Sequence, residues 1–140
     1  MDSGAADTVA NEGLTPWIPV KETEASKAGL QYNAANNGII KNLGEKDLDV
    51  LNDNFIPGGI TVQICDKVNK FLAAVSQIGK AGNKITFFDD DGKHRIVNKT
   101  TWEETPMFEE NGTFHMNLWV WNPEGKPAES EQGFRGQCKF

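Results

Sequence analysis

The first nine residues of the chain, Met1 to Val9, contain the clearest candidate for a chemical site. They read Met-Asp-Ser-Gly-Ala-Ala-Asp-Thr-Val. An Asp followed by Ser, Gly and small residues suits a tight loop in which neighbouring backbone and hydroxyl groups hold a carboxylate. Gly4 lets the backbone turn closely, and Ser3 can donate a hydrogen bond to the carboxylate of Asp2. The pattern therefore predicts an active-site loop built around Asp2.

This stretch resembles the signature of the retropepsin family, the aspartic proteases of retroviruses and of Copia-type retrotransposons, which runs Asp-Thr/Ser-Gly-Ala. A second stretch, residues 69–79, reads Asn-Lys-Phe-Leu-Ala-Ala-Val-Ser-Gln-Ile-Gly. It is similar to the Copia-type segment Leu-Leu-Ser-Val-Ser-Gln-Leu, in which an apolar strand end passes into a short helix that supports the active-site loop. The resemblance extends to about residue 121 and implies a retropepsin-like aspartic endopeptidase.

The resemblance also implies a homodimer. Aspartic proteolysis uses two carboxylates that share one proton, so that one activates water while the other donates to the substrate carbonyl. The chain has a single Asp-Ser-Gly, so each copy would contribute its Asp2 across a twofold axis. By carry-over from the family, Ser3 would brace the carboxylates and Gly4 would approach the substrate backbone. Ala5 and Asp7 would contact the bound peptide.

Residues 30–41 are predicted to form a β-hairpin. Ala35-Asn36-Asn37-Gly38 is a turn signal, because Asn and Gly tolerate positive φ. In a retropepsin-like chain this hairpin would be the flap that closes over the peptide, with Asn36, Asn37 and Gly38 donating backbone hydrogen bonds to substrate. From the residues alone, an ordinary surface hairpin is the alternative.

Two departures from the family pattern leave a second function open. Only Met1 precedes Asp2, whereas in the family an apolar strand leads into the catalytic Asp, and Ala6 stands where many retroviral members have an acidic residue. The alternative is a catalytically silent, domesticated fold that acts as an accessory subunit, bound to protein partners in a larger complex. Trp119 and Trp121 are then candidate partner-binding residues, unless they are buried under the domain's own loops. A module that binds peptide in the flap cleft without cutting it is a third hypothesis.

The periodicity predicts a mostly β fold. Together with the resemblance it suggests a small closed or sandwich-like acid-protease lobe with one supporting helix and a C-terminal β-hairpin extension. Apolar and polar residues alternate at 60–65 and again at 113–121, as in half-buried strands. Apolar residues at helical spacing predict a helix at about 70–80, and the strands are expected to continue over about 84–121.

The domain organisation follows from length and composition. A chain of 140 residues is the size of one domain, and we expect that domain to span residues 1–121. Residues 122–140 are rich in Gly, Pro, Glu and Gln, which predicts a polar tail.

Charge and cysteine content limit the partners. A net charge of −6 argues against direct binding of nucleic acid, which needs clustered Lys and Arg. No apolar run approaches the roughly 20 residues of a membrane span, and no signal sequence is evident, so the chain itself does not specify a compartment. Cys65 and Cys138 specify neither a metal knuckle nor a disulfide framework, which favours a reducing, intracellular location.

No cofactor or metal is predicted. Asp89-Asp90-Asp91-Gly92 is acidic, but the twelfth residue counted from Asp89 is Thr100, where a calcium loop needs Glu. A hairpin turn is the better interpretation. His94 and His115 have no Cys or acidic partner at ligand spacing, so they are read as ordinary strand histidines.

Overall fold

The computed structural model describes residues 6–34, 36–121 and the backbone of 133–138. In that part of the chain the mostly β fold predicted from periodicity is confirmed. The strands in chain order are β1 Val9–Asn11, β2 Gln31–Asn33, β3 Ile39–Leu51, β4 Pro57–Cys65, β5 Asn83–Thr86, β6 His94–Asn98, β7 Glu104–Glu110, β8 Thr113–Val120 and β9 Gly133–Cys138. The described residues also form two short helices, α1 Glu24–Lys27 and α2 Val75–Lys80.

The described strands form a single open sheet in the order β1-β4-β3-β8-β7-β6-β5, with β2 added to β3 and β9 added to β8. Only β1 and β4 run parallel, and every other pair is antiparallel. A closed or sandwich-like lobe was expected instead. Within the described residues the sheet stays open because its terminal strands, β1 and β5, do not pair with each other.

The core lies between the β3–β4 hairpin and strand β8. Val62 and Ile64 are fully buried on one face of β4, in agreement with the alternation of its sequence. Each such side chain contributes about 1.5–3 kcal/mol of hydrophobic stabilisation when it leaves water. The same cluster includes the inward-facing residues of β8, which are Phe114, Met116, Leu118 and Val120.

Strand β3 is long, because the second arm of the predicted hairpin continues without a break to Leu51. The strand continues through Gly44, where the pairing with β4 shifts register between Asn42 and Gly44. Gly44 has φ +138°, and the segment around Lys21 packs directly against it. Lys21 and Glu45 exchange two backbone hydrogen bonds of 2.9 Å. The bulge therefore lets a loop dock on the sheet.

Lys46 of β3 stabilises the loop that follows β1. Its side chain is buried, and its Nζ donates hydrogen bonds to the carbonyl oxygens of Glu12, Leu14 and Thr15 at 3.2, 2.7 and 3.2 Å. Burial lowers the pKa of Lys46 from its usual value, with a smaller opposing effect from Glu12. Three carbonyl oxygens of one loop converge on this ammonium group, so the lysine fixes the path of the loop that follows β1.

The supporting helix is shorter than predicted. It spans Val75–Lys80, and its N-cap is Ala74. Residues 71–74 are extended because Leu72 pairs with Val9 through two backbone hydrogen bonds of 2.9 Å. A pairing with a distant strand thus overrides the helical spacing of the apolar residues.

The C-terminal part of the chain also differs from expectation. Residues 133–138, predicted to belong to a polar tail, form β9 and pair antiparallel with β8 from Phe114 to Trp119. Residues 122–132 and 139–140 of the predicted tail lie outside the described residues. Residues 133–138 are therefore held by the chain's own sheet.

No helix in the described ranges is long and apolar enough to cross a membrane.

Candidate functional site

The predicted catalytic loop is described only from its second half onward. Asp2, Ser3, Gly4 and Ala5 lie outside the described residues. Ala6, the next residue, is exposed, and the carboxyl-bearing Asp7 is half-buried. The described part of the candidate site therefore begins at Ala6.

Thr8 and Val9 anchor this segment to the sheet. The Thr8 carbonyl oxygen accepts a hydrogen bond from the backbone N–H of Gln63 at 2.8 Å, which begins the parallel pairing of β1 with β4. Thr8 is buried, and its Oγ1 accepts a hydrogen bond from the backbone N–H of Ala74 at 3.0 Å. Val9 is held from the other side by Leu72. The backbone after the predicted catalytic triplet is thus fixed on both edges.

Asp7 links this segment to the hairpin formed by β2 and β3. Its Oδ2 accepts a hydrogen bond of 2.9 Å from the hydroxyl of Tyr32, which lies on β2. On the opposite side, Nε2 of Gln77 in α2 donates to the Ala6 carbonyl oxygen at 2.9 Å and to Oδ1 of Asp7 at 3.5 Å. A strand and a helix therefore hold one carboxylate between them.

Tyr32 belongs to a chain of hydrogen-bonded side chains that continues across the sheet. Nδ2 of Asn42 donates to the Tyr32 hydroxyl at 3.1 Å and to Oε1 of Gln63 at 2.9 Å. Nε2 of Gln63 in turn donates to Oε2 of Glu45 at 3.1 Å. Burial raises the pKa of Tyr32 to about 12; the hydrogen bond from Asn42 opposes this shift and Asp7 reinforces it. At neutral pH the phenol is therefore a protonated donor to Asp7.

The turn of this hairpin has the geometry that its sequence predicts. Oδ1 of Asn36 accepts a hydrogen bond from the backbone N–H of Gly38 at 3.0 Å, and Asn37 has φ +64°. Ala34 and Gly38 close the hairpin through a backbone bond of 2.9 Å. Asn36 and Asn37 are exposed, and Gly38 is half-buried. Because Gln31 pairs with Lys41 at its base, the hairpin expected at residues 30–41 is present.

An open groove of about 570 Å³ begins at Asp7 and runs along β4. Its walls include Pro57 to Thr61 on one side and Ile78 of α2 on the other. The floor is apolar, with Ile96, Met116 and Leu118 among its residues. Asp7 thus accepts a hydrogen bond from the β2–β3 hairpin and also lines a groove large enough for a few side chains.

Comparison of the chain with protein-family models, curated protein sequences and solved structures finds no match.

The two candidate partner-binding tryptophans lie at the end of β8. Trp119 pairs with Leu51 of β3, and the exposed fractions of the two residues are 37% and 38%. Trp121 is 68% exposed, and its carbonyl oxygen accepts a hydrogen bond of 3.1 Å from Nε1 of Trp17. The two side chains are therefore partly available at the surface.

The predicted turns and histidines have structural partners. Residues 89–92 connect β5 to β6, and Arg95 forms an ion pair with Asp91. Nδ1 of His94 accepts a hydrogen bond of 2.8 Å from the Phe88 backbone, and its ring packs edge-on against Phe114 at 4.8 Å. Among the described residues no group of three or more His, Cys, Asp and Glu side chains is arranged to hold a metal ion.

Cys65, the last residue of β4, is buried. Burial, with contributions from Asp66 and Asp7, raises the pKa of its thiol to about 11. The thiol therefore stays protonated and poorly nucleophilic near neutral pH.

Sequence reasoning did not identify Tyr32, Asn42, Gln63 and Gln77 as parts of the site. Each is a single polar residue whose partner is distant along the chain, so no local spacing marks it. The only available signal was the Ser-Gln pair at residues 76–77, which lies within the stretch that resembles the Copia-type helix.

Proposed function

We propose that this chain is a retropepsin-like aspartic endopeptidase that is active as a homodimer, with Asp2 of each copy forming the catalytic pair. One observation carries the proposal. Residues 6–9 lie one residue after Asp2-Ser3-Gly4 in the sequence. They accept or donate hydrogen bonds with three separate elements: the β2–β3 hairpin, the segment before α2, and α2 itself. Such convergence on one loop is expected where a carboxylate must be held in place.

The proposed reaction needs two carboxylates with different protonation. The ionised carboxylate removes a proton from a water molecule as it attacks the peptide carbonyl, and the protonated one donates to the carbonyl oxygen. Ser3 donates to the carboxylates, and Gly4 allows the substrate backbone to approach. The pair titrates as a unit, with two apparent pKa values, so activity requires the singly protonated state.

The hairpin network suggests how substrate would be held. Asn36, Asn37 and Gly38 lie at the turn of the hairpin, where they are proposed to donate backbone hydrogen bonds to the peptide. Asp7 is proposed to contact the peptide main chain, together with Ala5. Because Tyr32 ties Asp7 to the base of the same hairpin, closure of the flap and placement of Asp7 would occur together.

The test is cleavage of a mixed peptide substrate by purified protein over a range of protein concentrations. Activity per chain is expected to fall on dilution, because the catalytic pair exists only in the dimer. Asp2→Asn should lower the rate by at least about 1,000-fold, within the range that acid–base groups contribute, while the dimer persists in sedimentation experiments. Asp90→Asn, an exposed change of the same type on the turn before β6, serves as the matched control. Cleavage that survives Asp2→Asn, or that stays proportional to concentration throughout, contradicts the proposal.

The alternative, a catalytically silent accessory subunit, is favoured by the exposure of Trp121 and by the paired, partly exposed Trp119 and Leu51. Large aromatics at a surface are typical centres of protein interfaces. A protein that cleaves no peptide at any concentration, yet loses a partner complex on Trp121→Ala, would support this alternative.

A further inference from the structure

The outer edge of β4 lines the groove, and among the described residues part of that edge has no strand beside it. β1 covers β4 only from Gln63 to Cys65. The Gln63 N–H points toward β1, where it donates to Thr8, so backbone groups two and four residues earlier on β4 point to the same side. These belong to Thr61 and Gly59. In the described part of the chain no backbone hydrogen bond reaches them on this side.

The glycines on this edge are not required by the chain's own fold. Neither Gly58 nor Gly59 has positive φ, and the nearest atom to an added Cβ would be 4.0 Å away in each case. Both are exposed. A glycine inside a strand that has room for a side chain often marks the close approach of another backbone. The pair therefore suits an edge on which a further strand is laid.

The remaining walls of the groove match a strand with one apolar face. Ile78, Ile96, Met116 and Leu118 offer an apolar floor. Two charged residues line the groove in the described ranges, Asp7 and Glu103, and both are acidic. This charge favours an occupant with basic residues.

Two exposed aromatics lie on loops that contribute residues to the groove. Phe55 and Trp102 are 82% and 77% exposed, and they neighbour groove residues in sequence. Nδ2 of Asn54 donates to the Glu104 carbonyl oxygen at 2.9 Å, so the two loops are joined. Their side chains can contact a segment that leaves the groove.

We propose that this groove binds an extended polypeptide segment of alternating apolar and basic residues, which adds as a strand to the edge of β4 at Gly59 and Thr61. This is the β-augmentation mode, in which main-chain hydrogen bonds supply affinity and alternate side chains supply specificity. The proposal does not require that the chain cleave peptides.

The probe is a fluorescently labelled peptide of about eight residues, the length of a strand, with alternating Val and Lys. Binding is followed by anisotropy with the Asp2→Asn protein, so that cleavage cannot interfere. Glu103→Lys is expected to weaken binding about five- to tenfold, because it reverses a charge at the groove. Glu109→Lys, an equal charge change on the far part of β7, should have less than about a twofold effect.

A second readout separates edge pairing from general attraction between a basic peptide and an acidic protein. Amide hydrogen exchange at Gly59 and Thr61 should slow at least about tenfold in the complex. A peptide of the same charge with N-methylated backbone amides should neither bind comparably nor protect these amides. Equal weakening by Glu103→Lys and Glu109→Lys, or exchange at Gly59 and Thr61 that does not change, overturns the proposal. Protection that rises with protein concentration in the absence of peptide would assign the edge to a second copy of the chain instead.

Discussion

At the scale of single residues, Tyr32 connects parts of the molecule that are distant in sequence. Its hydroxyl donates to Asp7 and accepts from Asn42, so the loop after Asp2, the hairpin and the sheet share one phenol. Hydrogen bonds to a charged group contribute more than neutral ones, about 1.5–3 kcal/mol. The bond to Asp7 is thus a principal restraint on that carboxylate.

The chain has a single tyrosine, which makes its titration directly measurable. Burial raises the pKa of Tyr32 to about 12, so phenolate absorbance in the folded protein should appear with a midpoint near that pH rather than near the usual 10.0. Asp7→Asn should lower the midpoint while leaving it above 10, because burial is the larger cause. Circular dichroism at each pH confirms that the protein remains folded, and Tyr32→Phe gives the background.

The same shift has a consequence for stability. The folded state keeps the phenol proton at a pH where the unfolded chain has lost it, so unfolding becomes more favourable as pH rises from about 10 to about 12. The contribution is complete below pH 10 and lost above 12. Tyr32→Phe should remove this part of the alkaline decline in the unfolding free energy. A midpoint near 10 in the folded protein would show that the phenol is not held in this network.

At the scale of elements, Gly44 determines how the loop before α1 meets the sheet. A Cβ at this position would lie 2.4 Å from the Lys21 carbonyl oxygen and 2.8 Å from Cγ1 of Val20. Its φ of +138° is also unfavourable for any residue with a side chain. The bulge in β3 and the docking of residues 20–21 therefore depend on glycine.

Gly44→Ala should destabilise the protein by about 2–4 kcal/mol, because the added methyl group displaces backbone rather than a flexible side chain. The measurement is the midpoint of urea unfolding. Gly79→Ala in α2 is the matched control, since nothing lies within 4 Å of the added Cβ. That substitution should be neutral or stabilise by up to about 1 kcal/mol through helix propensity. Similar midpoints for the two variants would contradict the close packing of Lys21 on the bulge.

The elements that sequence reasoning predicted well are those fixed by local pattern. β4 and β8 alternate in hydrophobicity, and Asn37 has the positive φ of 64° that its turn requires. The predicted start of α2 was wrong because Leu72 pairs with Val9, and hydrophobic periodicity carries no information about a distant partner. The Asn37–Gly38 turn was predictable because its signal is local in the sequence. The contact between Tyr32 and Asp7 was not predictable, because the two residues lie far apart along the chain.

At the scale of the whole molecule, the open sheet and the charge set the conditions for association. Among the described strands, unpaired edge remains available along part of β4 and at β5. Each chain carries a formal charge of −6, so two copies repel each other at long range. Any homodimer must gain enough from its interface to overcome this repulsion.

The proposed dimer should therefore become tighter as salt is added. Raising the ionic strength from about 0.01 M to about 0.15 M shortens the screening length from about 30 Å to about 8 Å. We expect the dimer dissociation constant, measured by sedimentation equilibrium, to fall severalfold over this range, and peptide cleavage at a fixed, subsaturating protein concentration to rise with it. Glu109→Lys, which brings the formal charge closer to zero, should weaken the salt dependence. A dimer that loosens with salt would mean that opposite charges meet across the interface, which the acidic composition does not lead us to expect. A chain that stays monomeric at every salt concentration could not bring two Asp2 carboxylates together, because the second carboxylate has to come from a partner.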